Sequence, residues 1–398
     1  MNNRQLFLQH VAQTSESPIG IEMVEAAGVT LTDVHGKTYT DFIAGFSVCN
    51  IGHSHPEVVK AVQEQAAKYM HLIVYGEFIE SPQVQYASLL ASHLPQNLDC
   101  VYFTSSGAEA TEGALKLAKR VTGKTKILAC NKAYHGSTQG ALSVMGDEYW
   151  RNAFRPLLPE VYHFDYNDDA FVDAIDNTVA CVIVEPVQAE SGVTPGRKEW
   201  LAQIRKKCDE HCVLLIFDEI QSGFGRTGTL FAFEQMGVVP DVLLVGKALG
   251  GGMPLGAFIS SRMIMSTLSH NPVLGHITTF GGHPVICASA AACLEVFKEE
   301  IDFSEVEEKG ALLEQLLRAS DEIISVRRIG MMFAFDMVSD ERVNKVVLKC
   351  MEKGLISFWF LSHPYSFRLS PPLNISENEI RTAAQIILES IEETKDQL

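Results

Sequence analysis

Nowhere in this chain does an uninterrupted apolar run approach the roughly 18–20 residues needed to span a bilayer. Basic charge is also scarce. There are 32 Lys and Arg against 49 Asp and Glu, a formal net charge of −17. Such a surface repels phosphate backbones and anionic lipid, which argues against nucleic-acid and membrane partners. A small anionic ligand stays possible, because it answers to local donors. Metal-ligand spacing is missing as well. The nine Cys are scattered, several of them in apolar runs (Cys130, Cys181, Cys293), with no CxxC or Cys/His pattern. We therefore expect no metal site, reduced thiols and a cytoplasmic chain. The first 30 residues lack the basic start and apolar core of a secretory signal. Internal repeats and low-complexity tracts are absent.

What is present is apolar mass and order. Hydrophobic residues make up 46% and charged residues 20%, enough for a sizeable core. A length of 398 residues suggests two domains, or one large domain with an appended part. The segment GVTLTDVHGKTYTDF alternates about His35-Gly36 and predicts a hairpin. Pro56 opens a helix with Val58, Val59, Val62, Ala66 and Tyr69 on one face. Buried strands are expected at 98–103 (LDCVYF), 126–130 (KILAC), 179–184 (VACVIV), Val213–Phe217 and Val242–Val245. Between them lie two helical patterns, one on Ala110, Ala114, Leu117, Ala118 and Val121, the other on Trp200, Leu201, Ile204 and Cys208. A small-residue helix follows at 285–298. From Glu305 the pattern changes to a smaller α+β unit. It holds a helix to about Leu317, strands near Ile324–Ile329 and Met332–Met337, and a helix near Val343–Lys353. Ser376 and Glu379 form a capping box for a final helix.

The strand ends carry the chemistry. The run VLLIFDEIQSGFGRTG places Asp218 at the end of one buried strand. The run DVLLVGKALGGG places Lys247 just past another. In open α/β sheets, ligands bind beyond the carboxyl ends of the strands. A Lys in a dry pocket has a lowered pKa and can form an imine with an aldehyde cofactor. A carboxylate opposite a pyridine nitrogen keeps the ring protonated, as an electron sink. Asp218 and Lys247 together fit pyridoxal phosphate in those two roles. Either residue alone reads more simply as a turn cap or a surface charge. Two further strands also end in polar groups: 98–103 in Ser105-Ser106-Gly107-Ala108, and 179–184 in Glu185. The first of these runs into a helix N-terminus, the geometry that binds phosphate through free N–H groups. Tyr134 lies near the end of 126–130, where an aromatic ring could stack on a cofactor. Glu190 is a second carboxylate in the loop VQAESG.

Rival readings come from the same residues. Gly223-Phe224-Gly225-Arg226-Thr227-Gly228 is a literal GxGxxG and suggests a dinucleotide oxidoreductase. Asp218–Ser222 separate it from its strand, and no clear helix follows. Lys247 does not belong to a Walker loop, since Ala248 replaces Ser/Thr. Racemase, aminomutase and decarboxylase chemistry would use the same cofactor pair, and a non-catalytic cofactor-binding protein would keep it without turnover.

In order, SGAEA, YHG, VEPVQAESG, FDEIQSGFGRTG, the Lys247 segment, TTFGGHP and FRLSPPL resemble the class III (ω-amino) aminotransferases. The resemblance runs from GHSHP (52–56) to FRLSPPL (367–373) and is nearest the acetylornithine/ornithine group. It implies an α/β chain of PLP fold type I, with a mainly parallel sheet flanked by helices. A smaller α+β domain would be built from both termini: 1–52 and 298–398 around a large domain at 53–297. It implies transfer of an amino group from a small ω-amino donor to 2-oxoglutarate. Lys247 would carry the cofactor and move the proton, and Asp218 would pair with its ring nitrogen. Gln221 would approach the phenolic oxygen, and Ile220 and Tyr134 would sandwich the ring, with Glu185 nearby. Ser106, Gly107 and Ala108 would hold the phosphate. Thr279 would reach the cofactor of a partner subunit, implying a homodimer. Glu190 would pair with Arg368 and release it when a dicarboxylate binds. One position departs from the pattern. Ser137 stands where the acetylornithine, ornithine and 4-aminobutyrate enzymes often carry an Arg, and Arg151 or Arg155 is the candidate to replace it.

Overall fold

The computed structural model describes residues 2–395. Its centre is a seven-stranded sheet. Across the sheet the strands run Cys100–Thr104, Gly256–Ser260, Val242–Val245, Leu214–Asp218, Val179–Val184, Lys126–Cys130 and Val161–Phe164. Gly256–Ser260 runs antiparallel to both its neighbours, and the other strands share one direction. Every residue of Val179–Val184, Leu214–Asp218 and Val242–Val245 is buried. That is why these strands read as unbroken apolar runs rather than alternating ones: both faces are covered.

The two faces feed two cores. Ile183, Leu214, Ile216, Val242 and Leu244 pack with Ala110, Ala114, Leu117 and Ala118 of the helix Gly107–Thr122. The alternate residues Val182, Val184, Leu215, Phe217, Leu243 and Val245 pack with Trp200, Leu201, Ile204 and Cys208 of the helix Lys198–His211. The period of two along each strand sorts its side chains between these layers.

Two smaller sheets lie in the terminal parts of the chain. Met23–Ala27, Thr30–Asp33 and Thr38–Asp41 form an antiparallel meander, joined in parallel by Leu355–Ile356. Ser325–Ile329, Met332–Asp336, Ser366–Leu369 and Phe358–Trp359 form the other, in that spatial order. The final helix, Glu377–Glu393, opens on the expected Ser376/Glu379 capping box.

Several elements differ from expectation. Val161–Phe164 is a strand at the sheet's rim, where one face needs no apolar run. Gly256–Ser260 is a full member of the sheet, and a helix spans Ser81–Ala91. In the helix Pro56–Lys68, Val58 and Gln65 are buried but Val59 is exposed. At 100° per residue, Val59 stands a quarter turn off the stripe of Val58, Val62 and Gln65.

The GxGxxG segment is a buried clamp, not the mouth of a nucleotide site. The next helix, Ala232–Met236, does not begin at its glycines. Arg226 is fully buried and donates to Pro371 O and Asn50 Oδ1, both at 2.5 Å, and to Met331 O at 3.3 Å. One guanidinium thus joins three distant stretches of chain to the loop after Asp218. Arg226→Met should leave those acceptors buried without donors. We expect a loss of about 3 kcal/mol or more in unfolding free energy, read from the denaturant midpoint. An unchanged midpoint would show that the clamp does not hold the fold.

Candidate active site

Lys247 follows Gly246 directly past the strand Val242–Val245 and opens a short turn, Lys247–Gly250. Its φ is +50°, a conformation a side-chain-bearing residue adopts only when its surroundings enforce it. Nζ donates to Gln221 Oε1 at 2.9 Å. Burial pulls the amine down to about 8 from 10.5. The charges of Glu190, Asp218 and Glu185 oppose that fall, and the charge of Arg368 adds to it.

Asp218 ends the neighbouring strand. Its Oδ2 lies 2.6 Å from His135 Nδ1, and its Oδ1 accepts the Ile220 N–H at 3.0 Å. Burial disfavours a charged imidazole at His135. The hydrogen bond and charge of Asp218 outweigh burial, so the His135 pKa stands above its ordinary value. The imidazole and the carboxylate are thus paired in the interior. Among the described residues, His135 Nε2 is buried without a partner. The sequence reading took Tyr134 from the Tyr134-His135-Gly136 run and passed over His135. Its partner lies on another strand, and no local spacing announces the pair.

Glu185 lies just past Val179–Val184 and accepts N–H groups of Tyr134 at 3.1 Å and Ala189 at 3.2 Å. Burial pushes its carboxyl up to about 7, against the pull of His135. Glu190 Oε1 meets Arg368 Nη2 at 2.6 Å, with both side chains buried. Burial raises the Glu190 pKa, but the charge and hydrogen bond of Arg368 win and hold it low. The Arg368 guanidinium sits over the Phe360 ring at 4.4 Å and the Phe46 ring at 5.3 Å.

Ser106 caps the helix Gly107–Thr122, its hydroxyl accepting from Glu109 N–H at 3.2 Å. The N–H groups of Gly107 and Ala108 lie in the first turn, where intrahelical acceptors are lacking. Close packing fixes the site's edge. A Cβ on Gly107 would come within 2.8 Å of Ile220 Cδ1. Gly136 has a φ of +124°, and a Cβ there would come within 2.6 Å of Ala108 Cβ. Ile220 therefore abuts the helix start, and the Tyr134–Gly136 turn crosses it. Tyr134 is half-buried, its hydroxyl 3.5 Å from Ser137 Oγ.

Two expectations fare differently. Arg151 and Arg155, the candidates to replace a cation at Ser137, are both paired with Glu148, Arg151 at 2.5 Å and Arg155 at 2.7 Å. Thr279 is exposed and lines a surface hollow with Ser105, Glu109 and Glu112. Among the described residues no cluster of His, Cys, Asp or Glu could hold a metal ion.

The site can therefore offer a weakly basic amine, a carboxyl group oriented by His135 and the Ile220 N–H, and free helical N–H groups. That set fits an aldehyde, a ring nitrogen and a phosphate on one molecule.

The family model for Aminotransferase class-III matches residues 11–391. An acetylornithine aminotransferase of Bacillus cereus is 39% identical over 372 residues, 92% of this chain and 94% of that protein. One from Methanopyrus kandleri is 38% identical, covering 94% of each. An ornithine aminotransferase structure from Toxoplasma gondii superposes with a TM-score of 0.91 at 32% identity. That match covers 99% of this chain and 94% of the other.

The depressed amine gives a pH signature. Below about 8, folded and unfolded chains both carry the Lys247 proton, and the fold bears the cost of burying it. Between about 8 and 10.5 only the unfolded chain binds that proton, so this group's contribution to stability rises with pH through the window. In cofactor-free protein, acylation of Lys247 followed by peptide mass should show a midpoint near 8. A midpoint above about 10, the range of free lysine, would contradict the burial argument.

Proposed function

The chain belongs to the class III aminotransferases, and from that premise we propose that it moves the amino group of an acetylornithine- or ornithine-type donor to 2-oxoglutarate, releasing glutamate. It is a transaminase of PLP fold type I and uses pyridoxal 5'-phosphate. The observation that carries our reading is geometric: the Lys247 amine, hydrogen-bonded to Gln221, and the Asp218–His135 pair stand at the ends of two neighbouring strands.

When bound, the cofactor supplies a cationic ring that accepts the electron pair left on the amine-bearing carbon. The rest we assign to this chain. Lys247 Nζ tethers the cofactor. Once displaced by the donor amine, Nζ takes the proton from that carbon as a neutral base and returns it to the cofactor side. Asp218, oriented by its hydrogen bond with His135, would hold a proton at the ring nitrogen. We assign Gln221 to the phenolic oxygen, Ile220 and Tyr134 to the ring faces, and Glu185 to the pocket behind Tyr134. Ser106, Gly107 and Ala108 are assigned to the phosphate. Arg368 would clamp the carboxylate of glutamate or 2-oxoglutarate once Glu190 releases it, since a planar guanidinium suits two-point carboxylate binding.

We further propose a homodimer in which Thr279 reaches the partner's cofactor. Support comes from exposed apolar residues on two touching segments. Met70, Leu72, Ile73, Phe78 and Ile79 belong to one, and Ile277 and Phe280 to the other, with His71 against Phe280 at 5.2 Å. A patch of this kind asks for a cover. The same reading keeps 1–52 and 298–398 as one small domain around 53–297. It places the protein in the cytoplasm, in keeping with its scattered cysteines. Among the described residues no helix is long and apolar enough to cross a membrane.

Lys247→Ala should abolish turnover and the absorbance of the tethered cofactor near ~420 nm. Normal turnover in that variant would remove Lys247 as the base. In half-reactions with a panel of ω-amines and amino acids, acetylornithine and ornithine should convert the cofactor fastest. One glutamate should form per donor consumed. Equal rates for simple amines would overturn the donor, and no glutamate would overturn the acceptor.

A further inference from the structure

The small C-terminal sheet carries two arginines in one cross-strand row. Arg327 pairs with Ala334 on the middle strand, and Ala334 pairs with Arg368 on the next. Residues directly opposite one another share a face of the sheet. Arg327 and Arg368 therefore project from the same face, two strands or roughly 10 Å apart. Both reach the loop Ala189–Val193, in different ways. Arg368 binds its movable part, the Glu190 carboxylate, at 2.6 Å. Arg327 binds its backbone, donating from Nε to Gly192 O at 2.5 Å.

Arg327 is itself fixed. Asp336 accepts from both its terminal nitrogens, at 2.5 and 2.7 Å. His363 Nε2 lies 3.0 Å from Arg327 Nη2 and 3.1 Å from Asp336 Oδ1, and Ser366 Oγ donates to Asp336. His363 belongs to the segment that faces Glu190 from the other side. In that segment Leu361 N–H donates to Glu190 Oε2 at 3.1 Å, and Ser362 N–H to Glu190 O at 3.2 Å. The fit at Gly192 leaves no slack. Its φ is +88°, and a Cβ would come within 2.7 Å of Arg327 Nη2.

We propose that Arg327, locked by Asp336 and His363, is a positioning residue that pins the backbone just past Glu190, so that only the Glu190 carboxylate moves when Arg368 changes partner. The proposal rests on the reading of Glu190 and Arg368 given above and adds a fixed anchor to it. A latch that must leave and return to one guanidinium needs a stationary hinge. Here the hinge is a second guanidinium whose partners are Asp336, His363, Ser366 and a carbonyl. Without it, Glu190 fails to reseat, and Arg368 stays open whichever substrate arrives.

The test separates the two half-reactions in holoenzyme, followed by cofactor absorbance, with ornithine as ω-amino donor and glutamate as carboxylate-clamped donor. Arg327→Met should lower kcat/KM for ornithine about tenfold, through KM, while the glutamate half-reaction stays within about twofold. Asp336→Asn and Gly192→Ala should shift the same ratio in the same direction, and they decide the matter should Arg327→Met not fold. Parallel loss in both half-reactions would mean a merely structural role, and an unchanged ratio would mean no role. Either overturns the anchor. Glu190→Gln separates the levels. If it shifts the ratio and the Arg327 variant does not, the anchor alone falls. If Glu190→Gln leaves the ratio unchanged, the reading of the pair falls and takes the anchor with it.

Discussion

An amine kept weakly basic inside a pocket full of charge is the condition on which the rest of this molecule turns. Acids and bases crowd the strand ends, and any of the acids could have neutralised Lys247. They are engaged elsewhere: Asp218 with His135, Glu190 with Arg368, and Glu185 with two backbone N–H groups. The direct partner left for Lys247 is the neutral amide of Gln221. Desolvation then acts on the amine with only long-range attraction against it, and its proton becomes easy to lose. Pairing the other charges is what frees this one.

That separation depends on rigidity, which comes from strands with no wet face. Leu214–Asp218 and Val242–Val245 are neighbours in register, so Asp218 and the Lys247 turn emerge side by side. Ile220 fills the space between that turn and the start of the helix Gly107–Thr122. A Cβ on Gly246 would come within 3.2 Å of its side chain, and one on Gly107 within 2.8 Å. Glycine is needed at both positions for the backbone to come so close, rather than for conformational freedom. A looser contact would let the helix N-terminus drift from the amine, and a multi-point ligand could not be held at both ends.

The sequence disclosed those features that obey local rules. Runs such as VACVIV are continuous because they are buried on both faces, and their polar ends stand out by contrast. The Ser376/Glu379 cap and the stripe of Trp200, Leu201, Ile204 and Cys208 are equally local. What escaped is long-range or borderline. His135 acquires its role from an aspartate 83 positions away. Val161–Phe164 lies at a rim where a strand needs little apolar content, and Gly256–Ser260 reverses direction in an otherwise parallel sheet. Arg155 meets Glu148 seven positions back, beyond the turn of helix that brings Arg151 to the same carboxylate.

The Glu190–Arg368 pair shows how one pocket can meet two different substrates. Both groups are buried, so breaking the pair without a substitute would strand a guanidinium among Phe46 and Phe360, far from water. On the proposed reading of this pair, an incoming carboxylate would remove that penalty by taking the place of Glu190, and a donor lacking a carboxylate near the reacting amine would not. The aromatic rings therefore do more than line the pocket. With those rings beside it Arg368 has no cheap alternative partner, and on the proposed reading the choice between glutamate-like and ω-amino substrates would be made by charge replacement rather than by shape.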